Sequence, residues 1–376
     1  MISFLWLHSD HIKQTIHYLS AEGEHPVQHY PLSDVHSACQ HELESHGVPA
    51  NYAAAMADAL VFGEATGSAT HGLSLLTPYL EAIASGGMAL EGHYEVLSDF
   101  HACQVWDGRK LPGAWLMKQA IACGMQRAAA YGVSVVAVKN SHHTGCLAAY
   151  LEMATSKGYV ASIALTDPAH SSVAPWGGTT PVMTSNPVAF GAPGEATPIW
   201  IDMATSSVTN GAVQHRLNAG ENFSSEVLLD GYGKATDNPA VINDRPLGSI
   251  LPLGGKSHGH KGYALSVMVE ILAGCLSGGG RAEPPSGWGA SFTVTLYAPG
   301  LICGEKVWNT QLNALIRQCH GAAPAHPYSS VRLPGERSWH SLQHARQHGL
   351  WLNPAQFIWL NNAPDPHNNT SQKHNP

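Results

Sequence analysis

Hydrophobic periodicity changes character several times along the chain, and each change marks an element. From Pro31 the spacing is helical. SDVHSACQHELESHG has Ser33 or Asp34 as its N-cap and Gly47 as its stop. An Ala-rich second helix, ANYAAAMADALVFGEATG, ends near Gly63 and Gly67. A third, LSLLTPYLEAIASGG, is opened by Thr70-His71-Gly72 and closed by Gly86-Gly87. HYEVLSD and ACQVWD then read as two strands, and residues 116–131 as a helix with small residues on one face. The next hundred residues alternate: strand 133–138, helix 145–157, strand 160–165, a long loop, strand 187–191 and strand 199–203. In YALSVMVEILAGCLSGG, Leu265, Met268, Val269, Leu272 and Leu276 keep helical spacing with few charges on any face, which predicts a buried helix. Residues 288–297 alternate as a strand and 306–319 form an amphipathic helix. Residues 1–30 show no clean period and read as an appendage. The polar run beyond Pro354 lacks the apolar content to fold and is expected to be disordered. No internal repeat is present, and the alternation points to an α/β fold.

Three of the strand-like runs end in polar clusters: Asn140-Ser141-His142-His143, Thr166-Asp167, and Asp202 with Thr205 and Ser206. Between the last two lies a loop rich in Pro, Gly, Ser, Thr and Asn that carries Trp176. Strands that bring hydroxyls, imidazoles and amides to one edge make a small-molecule site. Any single cluster reads equally well as turn residues; three in succession favour the site. Lys261-Gly262 stands where the buried helix is expected to begin, so free N–H groups and the positive dipole end would favour an anion, against the plainer reading of a solvated lysine. His71, in Thr-His-Gly at a helix start, can hold a proton near neutral pH; its plainer reading is a neighbour of the N-cap with no chemistry.

Composition narrows the classes. Charged residues make up 12% and hydrophobic ones 44%, which fits a globular enzyme, and the net charge of −8 argues against a phosphate-backbone binder. Seven scattered cysteines without a CxxC pair fit free thiols in a reducing cytoplasm. The start lacks the charged region and cleavage site of a signal peptide, and no apolar run is long enough to span a membrane. The 24 histidines are mostly a surface excess. HExxH is absent, and His142 and His143 would point to opposite faces of a strand, so no metal site is expected. GxGxxG is absent. The GGKS at 254–257 fails as a P-loop because its matching glycine is Gly248.

Seven segments nevertheless occur in a telling order: Thr70-His71-Gly72, Asn140-Ser141-His142-His143, Ala174-Pro175-Trp176-Gly177-Gly178, Ser185-Asn186-Pro187, Asp202-Met203-Ala204-Thr205-Ser206, His260-Lys261-Gly262-Tyr263 and Leu333-Pro334-Gly335-Glu336. From about Pro31 to about Leu352 the chain resembles the malate/L-lactate dehydrogenase family, which lacks a Rossmann fold. That family includes sulfolactate, ureidoglycolate and diketogulonate oxidoreductases and reductases of cyclic imines such as Δ1-piperideine-2-carboxylate. The resemblance implies a homodimeric oxidoreductase using NAD or NADP. Its mixed-sheet nucleotide-binding domain would span 96–261, and a helical, dimerising domain would combine 31–95 with 262–352; residues 353–376 remain as a tail. It puts proton transfer on His71 beside Thr70, and a second site histidine on His143. Asp202, if it neighbours an imidazole, would set its tautomer. Cofactor contacts fall on Asp202, Met203, Ala204, Thr205, His260, Lys261, Gly335 and Glu336, and substrate contacts on His143, Ser185 and Asn186.

Two departures bear on substrate. Thr70 replaces the usual serine. Leu75 stands where many members carry an arginine able to clamp a carboxylate with two parallel hydrogen bonds. Lys110, Arg109 or the Ser185-Asn186 amides are candidate replacements. Residues 256–259 also look like an insertion before His260. Three readings follow: a 2-oxo/2-hydroxy acid dehydrogenase; a cyclic-imine carboxylate reductase, suggested by GSILPLGG at 248–255 and the strand near Trp288; and a nucleotide-binding member without turnover. Thr205, Ser206, Arg216 and Arg337 are the candidates for choosing between NAD and NADP.

Overall fold

The computed structural model describes residues 29–68, 70–325, 330–352 and 356. The expected N-terminal appendage, save its last two residues, and the C-terminal tail, save Gln356, lie outside these. In chain order the elements are β1 (His29–Tyr30), α1 (Leu32–Ser45), α2 (Ala50–Ala65), a 3-10 turn (Leu73–Leu75), α3 (Leu76–Ala84), β2 (Glu95–Phe100), β3 (Cys103–Asp107), α4 (Gly113–Tyr131), β4 (Val133–Ser141), α5 (Ala148–Thr155), β5 (Val160–Thr166), β6 (Val188–Ala192) and β7 (Ile199–Met203). Then follow α6 (Asn210–Ala219), the short strands β8 (Leu228–Leu229), β9 (Ala235–Thr236) and β10 (Ser249–Ile250), and α7 (Gly255–Val269), which runs into a π-helical stretch (Glu270–Cys275). The chain continues through β11 (Ala290–Tyr297), α8 (Pro299–Ile302), α9 (Glu305–His320), α10 (Glu336–His348) and β12 (Leu350–Trp351).

Seven strands form one mixed sheet in the order β2-β3-β4-β11-β5-β6-β7. Only β3 and β4 are parallel neighbours; the other pairs are antiparallel. This is a mixed α/β fold, as the alternation predicts. In β11, Phe292, Val294 and Leu296 are fully buried in the main core, against α4. The intervening Thr293 turns its hydroxyl to the Leu272 carbonyl at 2.6 Å, on the other face. In β5 the same period sends Ala161, Ile163 and Leu165 to the main core and Ala164 to Val269 and Ala273. Burying each such large side chain contributes about 1.5–3 kcal/mol, so the period of two fixes which face carries which helix.

Three expectations need correction. A division at residue 262 does not separate sheet from helices, because β11 is the central strand of the sheet. The helix read from 263 begins earlier, at Gly255, with a kink where His258 leaves helical geometry (φ −128°, ψ 15°). It is also buried on one face only. Ser266, Val269, Ala273 and Ser277 face the sheet, while Val267, Met268, Ile271 and Leu276 are exposed among the described residues. Apolar spacing predicts that a face is covered, and a single chain need not be what covers it. The two chain ends meet: β1 pairs antiparallel with β12, and α10 packs on α2 through Leu342 and Ala345.

Candidate active site

The C-terminal ends of β5 and β7, the segment after β4, and the turn after α2 converge on a cavity of about 1150 Å³. Its wall includes Thr70, His71, Leu75, His143, Asp167, His170, Ser185, Asp202, Met203, Ala204, Trp288 and Gly335.

His71 is held by the last turn of α2. The Ser68 N–H donates to the Gly63 carbonyl (2.8 Å) and the His71 N–H to the Ser68 carbonyl (2.8 Å), closing the helix and folding the chain back. Gly63 is required there, because a Cβ would overlap the His71 carbonyl. The Leu73 N–H, an unpaired donor at the start of the 3-10 turn, donates to Glu64 Oε2 at 3.0 Å. Thr70 Oγ1 lies 2.9 Å from His71 Nδ1. Burial pushes the His71 pKa below the ordinary histidine value, so the ring is mainly neutral at pH 7.

His143 is the second imidazole, its ring near-parallel to that of His71 at 5.9 Å between centroids and stacked on Trp288 at 4.6 Å. Its tautomer follows from its partners. The Gly145 N–H can only donate, and it points at His143 Nδ1 (3.3 Å), as does Tyr79 Oη (2.8 Å). Nδ1 is therefore an acceptor, and the neutral ring carries its proton on Nε2. Burial, with the neighbouring His71 and His142 adding to it, lowers its pKa well below the usual value. His142 is buried with neither ring nitrogen hydrogen-bonded among the described residues, and its pKa falls to about 4.

Asp202 does not meet an imidazole. Its Oδ2 accepts from the Ala148 N–H at 2.9 Å and lies 3.9 Å from Cys146 Sγ, so it caps the first turn of α5 instead of setting a histidine tautomer. Desolvation at the cavity wall raises its pKa to about 6, and burial pushes the Cys146 thiol up to about 12.

The remaining expected residues divide. Thr205 stands behind the wall, donating from Oγ1 to the Asn186 carbonyl (2.9 Å) and so tying β7 to Ser185-Asn186. The Asn186 side chain is buried behind the wall too: Nδ2 donates to Ser266 Oγ (3.0 Å) and Glu270 Oε1 (2.9 Å). Glu336 is engaged by His320 at 2.5 Å. His260 and Lys261 are exposed on α7 and do not line the cavity. The anion pocket expected at Lys261-Gly262 also lacks its key donor. The Gly262 N–H donates to the Leu253 carbonyl (3.1 Å), and the Leu253 backbone fills the space a Gly262 side chain would take. Arg109 pairs with Glu95 (2.5 Å) and Lys110 donates to the Ser286 carbonyl, so neither reaches the wall. Sequence reasoning missed Tyr79, Glu64 and His170. Tyr79 and His143 are 64 residues apart, and no local pattern joins them.

A family model described as malate/L-lactate dehydrogenase matches residues 30–361. The chain belongs to the malate/L-lactate dehydrogenase family. It is 31% identical over 327 residues to an L-lactate dehydrogenase of Cupriavidus necator, covering 85% of this chain and 91% of that one. It is 28% identical over 345 residues to a Δ1-pyrroline-2-carboxylate/Δ1-piperideine-2-carboxylate reductase of Pseudomonas putida, covering 88% and 96%. Its fold superposes on a solved malate dehydrogenase of Pyrococcus horikoshii with a TM-score of 0.78 at 26% identity, covering 90% of this chain and 96% of that chain. As a member of this dehydrogenase family the chain is an oxidoreductase. In this member the cavity wall holds Leu75 and, among the described residues, no Lys or Arg.

Proposed function

We propose that the chain exchanges a hydride between NAD or NADP and the carbon α to a carboxylate, interconverting a 2-oxo acid and a 2-hydroxy acid. The observation that carries this is the pair of near-parallel imidazoles, His71 and His143, facing one cavity at the strand ends. The cavity suits a nicotinamide dinucleotide. Thr209, Asn210 and Gly211, at the start of α6, line it with the free N–H groups of a helix N-terminus, which favour a pyrophosphate. Ser172, also in the wall, has a buried hydroxyl without a partner among the described residues. When bound, the nicotinamide supplies the hydride. Met203 and Ala204, at the end of β7, and Gly335 offer backbone to such a ligand, with Thr205 bracing them.

His71 does the proton work. In oxidation the neutral ring takes the hydroxyl proton; in reduction the imidazolium returns it to the oxygen. Thr70 orients the ring through Nδ1. His143, fixed with its proton on Nε2, serves as a hydrogen-bond donor, and Tyr79 holds it in that tautomer. A second substrate reading, a cyclic-imine carboxylate, is favoured by the Trp288 indole beside His143, an apolar plate suited to a carbon ring. There His71 would protonate nitrogen.

We further propose that the enzyme is a homodimer in the cytoplasm, an assignment supported by the exposed apolar face of α7 and its π extension and by seven free thiols. The test begins with fluorescence titration by NADH and NADPH. A micromolar response to one of them, followed by its oxidation with 2-oxo acids or with cyclic imines, supports the reading and selects the substrate class. Silence with both cofactors would overturn it.

A further inference from the structure

A carboxylate substrate calls for a cation in the cavity. No Lys or Arg lines it among the described residues, and Leu75 is apolar. Three histidines face it: His71, His143 and His170. Burial keeps the first two neutral.

His170 is built differently. Its Nδ1 lies 2.6 Å from Asp167 Oδ2. A carboxylate can only accept, so Nδ1 carries a proton, and Nε2 is left without a hydrogen bond among the described residues. The ring is half exposed, whereas Asp167 is nearly buried. Asp167 raises the His170 pKa through that hydrogen bond and through its charge. The loop beneath is firmly braced. Asp167 Oδ1 accepts the Ala169 N–H at 3.0 Å. Arg281 donates from Nη1 to the His170 carbonyl (3.0 Å) and from Nη2 to the Asp167 carbonyl (3.4 Å). Its Nε and Nη2 also grip Glu270 Oε1 at 2.9 and 2.7 Å. Glu270 in turn accepts from Asn186 Nδ2 (2.9 Å) and Thr166 Oγ1 (3.0 Å). An exposed His–Asp pair adds little stability by itself. An ion-paired arginine that clamps residues 167–171 fixes one imidazole in place on a cavity wall, which is what a preorganised receptor requires.

We propose that His170, seated on Asp167, is the cation that receives the substrate carboxylate in this cavity, in place of an arginine at position 75. This rests on the α-carboxylate reading above. It makes Asp167 and Arg281 positioning residues for the anchor, and it leaves proton transfer with His71.

The test measures binding of oxamate, an unreactive 2-oxo acid analogue, and of its uncharged counterpart oxamide to the full chain by calorimetry, with and without saturating NADH or NADPH. His170→Ala should weaken oxamate roughly 10- to 100-fold, the range for a charged hydrogen bond. His170→Gln, which keeps a donor but no charge, should fall between. Oxamide binding and cofactor affinity should not change, and unchanged circular dichroism will show that the variants fold. Equal oxamate affinity in wild type and His170→Ala, an equal loss for oxamide, or no oxamate binding to the wild type would each overturn the anchor. The two readings separate cleanly. A wild type that binds oxamate through His170 but oxidises no cofactor with any acid or imine sinks the proposed hydride exchange alone. Turnover of 2-oxo acids with an unchanged KM in His170→Ala sinks the anchor alone.

Discussion

His71 and His142 stand 71 residues apart in the chain, and burial gives each a different consequence. For His71 the consequence is kinetic. Its lowered pKa leaves the neutral base dominant at pH 7, so oxidation should proceed well there. Reduction needs the imidazolium, so kcat/KM for reduction should climb as pH falls through a value below 6.5, while that for oxidation falls. Paired pH profiles check this, and a reductive profile that is flat from pH 5 to 7 would contradict it. His71→Ala should lower kcat by about 10²–10⁴-fold in both directions and leave NAD(P)H affinity unchanged by titration. For His142 the consequence is stability. Below pH 6.5 the unfolded chain binds a proton that the folded chain refuses until about pH 4. Stability is therefore lost as pH falls across that window, at about 1.4 kcal/mol per unit. His142→Phe preserves the ring contacts with Trp288 and Tyr79 and removes the titration. Its urea-unfolding stability relative to wild type should improve by about 2 kcal/mol between pH 7 and pH 5; no improvement would mean that a partner for His142 exists. His71 and His143 were legible in the sequence because motifs carry them. His170 was not, since nothing local announces an imidazole whose carboxylate and guanidinium supports come from a turn and from a residue 111 positions away.

At the scale of elements, the sequence marks helices and strands well where apolar spacing meets a glycine stop, as at α2 and at α4, which Gly132 ends at φ 80°. It misplaces the start of α7. Gly254 and Gly255, both with positive φ, look like a loop, yet the helix begins on them and kinks at His258 before continuing. The phosphate site expected at Lys261-Gly262 depends on a helix starting there, whereas the helix starts at Gly255 and the helix N-terminus that faces the cavity is that of α6. The fit of α2 against the His71 turn is equally hidden, because a glycine inside an Ala-rich helix reads as ordinary. Gly63→Ala would drive a methyl into the His71 carbonyl, and that backbone cannot yield without moving the imidazole. The expected result is a loss of about 1–3 kcal/mol in stability and a fall in kcat of roughly 10²-fold. Helix content by circular dichroism and cofactor affinity should both be retained. A variant with full kcat would show that the turn does not position His71.

The whole molecule poses a problem that its separate elements do not. Val267, Met268, Ile271 and Leu276 form an exposed stripe along α7 and its π extension, and the six residues of the edge strand β2 are all exposed, Val96, Leu97 and Phe100 among them. An apolar helix stripe and an unpaired strand edge are both costly to leave in water. Periodicity along residues 263–279 reports that this helix is to be covered on more than one side, and a single chain covers only the sheet-facing side. The proposed second copy would resolve the mismatch, since an interface of about 800 Å² per partner suffices for a stable pair. Ile271 is the most informative position, being about half exposed on the stripe with no place in the cavity wall. Ile271→Glu should leave the secondary structure intact and convert the protein from dimer to monomer in multi-angle light scattering. Because the π extension packs on β5, whose end carries Thr166 and Asp167, cofactor oxidation by the monomer should weaken as the wall loses support. A wild type that is monomeric at every concentration would break the argument at its first step. A dimer untouched by Ile271→Glu would place the contact on β2, where Phe100→Asp is the substitution to make next.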